Sequence, residues 1–301
     1  MPDLVIDGRR TDLGGGFAVN RILPFRTRRM VGPFIFLDHA GPLDLPPPAR
    51  RKADVRPHPH IGLSTVSYLF SGRMTHRDSL GVTQEIAPGA VNWMTAGRGI
   101  AHSERFDGAA DGDPPMEAVQ SWVALPEAAE ESAPAFDTYP ADTLPVAEEA
   151  GTWLRVIAGA AFGLSSPVRT HSPLFYAHAR LRTGAATGLP EGHEERAAFI
   201  AHGTAEVDGQ PFTAGQLLVF AAHEAPTIRA TTDATVMLLG GAPLGERFIW
   251  WNFVSSRRDR IEQAKADWTE GRIALPPHDR DEWVPLPPDH RKKPPAAEPL
   301  S

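Results

Sequence analysis

No cysteine occurs among the 301 residues. Disulfides, thiolate metal ligands and a cysteine nucleophile are therefore excluded, and a reducing compartment fits without being required. No stretch approaches the ~18 consecutive apolar residues that a spanning helix needs. The start, Met1-Pro2-Asp3-Leu4-Val5-Ile6-Asp7, lacks the basic stretch and apolar core of a signal peptide. A soluble, cytoplasmic protein is the expectation. Excess positive charge is missing too: the formal charge is −7 and the sequence pI about 5.9. Binding driven by a phosphate backbone is thus not expected, nor is a membrane partner. What the chain does have is turn formers, 27 Gly and 30 Pro, as all-β folds require. Its length suffices for two domains of ordinary size, each with its own core.

The stretch from His58 to Glu104 organises the rest. It opens with His58-Pro59-His60 and closes with His102-Ser103-Glu104, each a pair of potential ligands two residues apart. Successive side chains of a strand alternate faces, so each pair shares a face if its segment is a strand. Two such strands side by side would aim three imidazoles and one carboxylate at one point. Three neutral nitrogens and one anionic oxygen suit iron, manganese, nickel, copper or zinc, and the set alone does not choose among them. The text between reads as strand. Leu63 to Phe70 is rich in β-branched and aromatic residues and closes on Ser71-Gly72, and Ala90 to Met94 is a second run after Pro88-Gly89. Gly97 and Gly99 mark a tight turn or close packing just before His102.

The runs HPHIGLSTVSYLFSG, HRDSLG and PGAVNWMTAGRGIAHSE resemble the pirin family of the cupin superfamily, as do the upstream runs DLGGGFAVNRILP and RRMVGPFIFLDHAGP. Five motifs in the family's order make the likeness specific over residues 1–125 and looser beyond. It implies an all-β fold: two tandem cupin-type (jelly-roll) β-barrel domains with a short C-terminal helix. It also places His58, His60, His102 and Glu104 on the family's four iron ligands. Many cupins carry a ligand Glu four residues after the second His; here that position is Ser64, and in the pirin arrangement Glu104 supplies the carboxylate instead.

The expected organisation is a metal-binding barrel over 1–125, a Pro- and Glu-rich linker over 126–150, a second barrel over 151–254, and a helix and Pro-rich tail over 255–301. Gly14-Gly15-Gly16 lacks the Gly-Lys-Ser/Thr ending of a phosphate loop and reads as a turn. His39 reads as hydrogen-bonding scaffold rather than a distant ligand. His76 and Asp78 read as scaffold or solvated surface more than as pocket lining. Glu127 to Glu131 and Glu148-Glu149 read as a solvated connector rather than a partner patch. Strand-like runs resume at Trp153, Leu174, Ala198 and Leu217. Sliding the first half by 131 positions puts Leu189 over His58 and Glu191 over His60, so the second barrel lacks the ligand set. His193, Glu194 and Glu195 read as a solvated loop. The run Arg247 to Phe253 is expected to pack against the barrels. A helix is predicted after Ser255-Ser256, with Ser256 as cap, Ile261, Ala264 and Trp268 as its buried stripe and Gly271 as its stop. Arg291-Lys292-Lys293 is too short to overturn the acidic whole.

The resemblance implies one divalent metal per chain, Fe(II) first, with Mn, Ni, Cu or Zn as alternatives. It further implies quercetin 2,3-dioxygenase-type chemistry on a flavonol or similar planar aromatic. Glu104, the sole anionic ligand, is the expected base toward a flavonol hydroxyl. Some relatives instead act as non-catalytic, iron-dependent regulators through a protein partner. A structural zinc barrel is disfavoured, because closed zinc sites prefer Cys.

Overall fold

The structure, a computed structural model, describes residues 1–13, 17–110 and 112–288. The glycine run 14–16 and the basic run 291–293 lie outside the described residues. The chain forms two barrels, each built from one large and one small antiparallel sheet. The first large sheet runs, in spatial order, Ala135–Tyr139, Val91–Thr95, Leu63–Ser71, Met116–Ala124, Phe34–Leu43, Ala18–Leu23 and Arg9–Asp12. The second runs Leu4–Asp7, Gln216–Phe220, Glu195–His202, Ala234–Gly241, Leu174–Leu181, Thr152–Ala161 and Val146–Glu149. The small sheets are Val55–His60, Ile100–Arg105, Met74–Asp78 and Thr83–Ile86 in the first barrel. In the second they are Ala186–Thr187, Ile228–Ala230, Thr204–Val207 and Gln210–Thr213. Strand for strand, the order repeats. The tandem cupin fold read from the sequence is the fold observed.

The repeat carries an exchange that the sequence did not suggest. Leu4–Asp7 pairs with Gln216–Phe220 and so completes the second barrel's sheet. Ala135–Tyr139, from the expected linker, completes the first by pairing with Val91–Thr95. The barrels therefore depart from consecutive blocks bounded at 125 and 151. Covering an edge with a strand from elsewhere in the chain also satisfies backbone groups that an open edge would expose.

The two large sheets lie face to face, and period-two alternation divides the strands between them. On Met116–Ala124, Met116, Ala118, Gln120 and Trp122 face the interior of the first barrel. Val119 and Val123 instead enter a shared core with Tyr176, Phe199, Leu217 and Met237 of the second barrel. Ser121 and Tyr176 hydroxyls meet at 2.8 Å across this seam. Burying apolar area there at about 25 cal/mol per Å² gives the barrels a common core.

The connector 126–150 is more ordered than its composition suggested. Besides two strands it contributes Glu130, a buried carboxylate that accepts bonds from Ser255 Oγ at 2.8 Å and Ser256 N–H at 2.8 Å, with Arg247 Nε at 3.1 Å. Ser256 Oγ also donates to Glu130, so it does not cap the helix Arg258–Thr269. The cap position is Arg257, with no side-chain cap bond. A buried anion outcompetes a helix N-terminus for the serine hydroxyl because charged acceptors bind it more strongly. The predicted stripe holds: Ile261, Ala264 and Trp268 are buried, and Gly271 follows in the left-handed conformation at φ +72°. The aromatic run forms the hairpin Phe248–Trp250 and Phe253–Ser255, packed on Ile61, Ala101 and the helix. Gly62, at φ +67°, allows that approach, since a Cβ there would collide with the Val254 carbonyl. After Pro276 the described chain makes a turn, with Asp279 N–H donating to the Pro276 carbonyl at 3.1 Å, and is held down as far as Val284, whose N–H donates to the Pro57 carbonyl at 2.8 Å.

Candidate metal centre

The small sheet of the first barrel brings the two ligand pairs together. His102 pairs with His58, and Ile100 with His60, across adjacent antiparallel strands. The rings of His58, His60 and His102 stand 4.4–5.0 Å apart, and one nitrogen from each lies within 4.8 Å of the others. Between His102 and Glu104 the register shifts, so Glu104 sits opposite Val55. Such a bulge re-aims the next side chain. Glu104 faces the same cavity but is not part of the closest set, and its Oε1 accepts from Ser67 Oγ at 3.3 Å. The same hydroxyl lies 2.7 Å from Gln120 Oε1.

The hydrogen bonds around the histidines fix which nitrogens are free. His58 Nδ1–H donates to the Arg56 carbonyl at 2.9 Å, leaving Nε2 with its lone pair. Asp78, fully buried, accepts from the Leu80 and Val82 amides and from His76 Nε2–H at 3.0 Å. His76 Nδ1 is then an acceptor and faces His102 Nδ1–H at 3.3 Å. This chain leaves His102 Nε2 unprotonated, and it is buried with no partner among the described residues. Among the described residues neither nitrogen of His60 meets a hydrogen-bond partner in good geometry either. Orphaned, buried imidazole nitrogens that converge are costly unless something takes their lone pairs. A divalent metal does so, and the residues present fit one. His76 and Asp78 thus stand behind a ligand rather than in the cavity. Phe136, from the exchanged strand, stacks on the His76 ring at 4.3 Å and steadies it.

Burial sets the electrostatics. It pushes His58 down to about 4, and His60 and His102 well below the ordinary imidazole value, with neighbouring histidines adding to the shift. The rings are therefore neutral at physiological pH, as ligation requires. Burial also pushes Glu104 up to about 7, with Ser67 opposing.

The centre opens into a cavity of about 550 Å³, whose walls include Phe36, Trp122, Ile249, Trp251 and Val284. Phe36 and Trp122 stack at 4.1 Å and 14°, and Trp122 presents its edge to His60 at 5.1 Å. Arg21 and Asp38 form a bidentate pair at 3.0 and 2.8 Å on the polar wall, with Arg21 over the Phe36 ring. None of these wall residues was singled out as functional from the sequence, although alternation along 116–124 points Gln120 and Trp122 inward. The other candidates lie elsewhere. His193 packs on Phe175, Glu194 is exposed, and Glu195 accepts from the Gly32 amide at 2.6 Å. His39 bonds Glu117 at 2.7 Å, facing the second barrel.

Two jelly-roll barrels, one with three converging histidines open to a cavity, define a bicupin with a candidate metal centre. The match to known families is narrower. The family model Pirin matches residues 16–123, and Pirin C-terminal cupin domain matches 176–274. A pirin-like protein of Caulobacter vibrioides is 55% identical over 289 residues, covering 95% of this chain and 100% of that one. The chain belongs to the pirin family. Among solved structures, a quercetin 2,3-dioxygenase from Acinetobacter baumannii matches with a TM-score of 0.86 and 36% identity, covering 95% of this chain and 96% of that one. A bacterial pirin from Escherichia coli, solved in complex with nickel(II), shares the fold at a TM-score of 0.61 and 16% identity, covering 80% of this chain and 99% of that one.

Proposed function

We propose that the protein is a mononuclear-metal oxygenase acting on a flavonol such as quercetin, or a similar planar aromatic. Its metal, Fe(II) as first choice, would be held by His58, His60, His102 and Glu104. One observation carries the reading: converging histidines with free lone pairs open into a cavity walled by stacked aromatic rings. The likeness to the Acinetobacter quercetin 2,3-dioxygenase supports the substrate class.

A redox-active divalent metal bound here supplies a Lewis acid and an electron route between an organic substrate and oxygen. The chain supplies the rest. A cavity of about 550 Å³ with aromatic side chains in its wall suits a small polycyclic ligand. Glu104 faces the cavity beside the histidines, placed to accept a phenolic proton. Val284 and Trp251 add apolar wall to the cavity from beyond the second barrel. The locked Arg21–Asp38 pair offers donors and an acceptor to polar substituents.

The test is a single-turnover experiment. Protein loaded with Fe(II) is mixed with quercetin without oxygen, oxygen is added, and the flavonol absorbance is followed. Loss of the band in proportion to bound metal supports the assignment. A fully metallated protein that leaves the band intact assigns the chain instead to the metal-dependent interaction proteins.

A further inference from the structure

The seam between the barrels holds a second convergence of ligating groups. We propose that His39, Glu117 and His202 form a second divalent-metal site, best suited to zinc, that ties the two barrels together. His39 and Glu117 come from neighbouring strands of the first barrel, and His202 ends a strand of the second. Alternation puts His39 and Glu117 on the opposite sheet face from Asp38 and Ala118, which line the cavity of the first centre. The two sites therefore share strands but not faces.

The geometry converges on one carboxylate oxygen. Nε2 of His39 lies 2.7 Å from Glu117 Oε1, and Nε2 of His202 lies 2.5 Å from the same atom. One ligating atom from each residue falls within 4.8 Å of the other two. Two imidazoles and one carboxylate are a recognised zinc set, with water in the fourth position. Zinc bonds of about 2.0–2.2 Å place tetrahedral ligand atoms roughly 3.3 Å apart. The present spacing thus needs to widen by less than about 1 Å, and the side chain of His202, 43% exposed, is free to move. That exposure also gives an ion and its water a way in.

Two further observations favour a cation over a bare hydrogen-bonded cluster. The Glu117 carboxylate is buried, and among the described residues no Arg or Lys pairs with it. A buried carboxylate with no permanently charged partner gains from a cation placed beside it. The His39 ring is also held in place, with Phe70 and Phe199 edge-on at 6.1 and 5.6 Å. Ligands fixed this way lose little freedom on binding.

The site does not depend on the oxygenase reading, and its test avoids the first centre. Full-length protein carrying His58→Ala and His60→Ala is stripped with chelator and titrated with Zn(II), and bound metal is measured by elemental analysis. One equivalent is expected, with an upward shift of the melting temperature. Adding His202→Ala, a change at an exposed side chain, abolishes both. Glu117→Gln, nearly isosteric, abolishes tight binding in a protein that still folds. Co(II) in place of zinc gives the visible absorption of a four-coordinate ion. Absence of zinc uptake in the first-centre variant overturns the proposal, as does uptake that survives both His202→Ala and Glu117→Gln.

Discussion

The two barrels have the same strand order and opposite interiors. In the first, the ligand-bearing strands Val55–His60 and Ile100–Arg105 are six residues each, and their side chains border a cavity. In the second, the equivalent strands shrink to Ala186–Thr187 and Ile228–Ala230, with no histidine or carboxylate in either. Leu154, Phe175, Leu189, Ile200, Phe212 and Phe220 fill the interior. One barrel gives up packing for a site; the other keeps it. The second barrel then works as a wall, presenting Phe199 and Met237 to the seam and steadying the sheet on which the cavity is built.

The largest expected contrast is in metal and turnover. His60→Ala should lose the metal of the first centre and reduce turnover to background, read by metal content and oxygen uptake. Leu189→Ala, at the matching place in the second barrel, should cost stability but leave turnover per bound metal unchanged. Packing gives the next contrast. Phe220→Ala should destabilise by about 3–5 kcal/mol in chemical denaturation, the usual cost of emptying an aromatic site in a filled core. Trp122→Ala borders an existing cavity and should cost less, while raising KM for a planar substrate about tenfold.

A smaller effect is expected behind the ligands. Asp78→Asn breaks the chain through His76 that orients His102, and about 10- to 100-fold in metal affinity should follow. The smallest is a pH slope. Glu104, pushed up to about 7 without metal, holds a proton below that value, so a metal must displace it. Affinity should therefore fall by about tenfold per pH unit as pH drops below about 7. The imidazoles add little there, since His58 stays neutral down to about 4. In Glu104→Gln no proton is displaced and the slope should flatten.

The convergence of His58, His60 and His102 was legible because i, i+2 spacing reports a strand face, whereas the register shift after His102 that sets Glu104 apart from them was not. The sequence also showed the second barrel's missing ligand set, since Leu189 and Glu191 fall where His58 and His60 would be. Three things it did not show. Leu4–Asp7 crosses to the second barrel and Ala135–Tyr139, from the expected linker, joins the first, and strand partners far apart in sequence leave no local trace. Glu130 looked like one acid in a solvated connector, yet it is buried under Ser255 and Ser256. Period-two patterning gives a face but not what lies opposite, so Glu117 and His202, some 85 positions apart in a chain of 301, were not seen to meet. His76 and Asp78 were placed on scaffold, and the structure adds which ligand they hold.

The most direct measurement is steady-state oxygen uptake with quercetin, bound iron quantified in the same samples, for wild type, His60→Ala and Leu189→Ala loaded anaerobically with Fe(II). The expected result is uptake proportional to iron in wild type and Leu189→Ala and none in His60→Ala. Iron-replete wild type that consumes no oxygen, or a His60→Ala protein that still does, would contradict the placement of the chemistry in the first barrel.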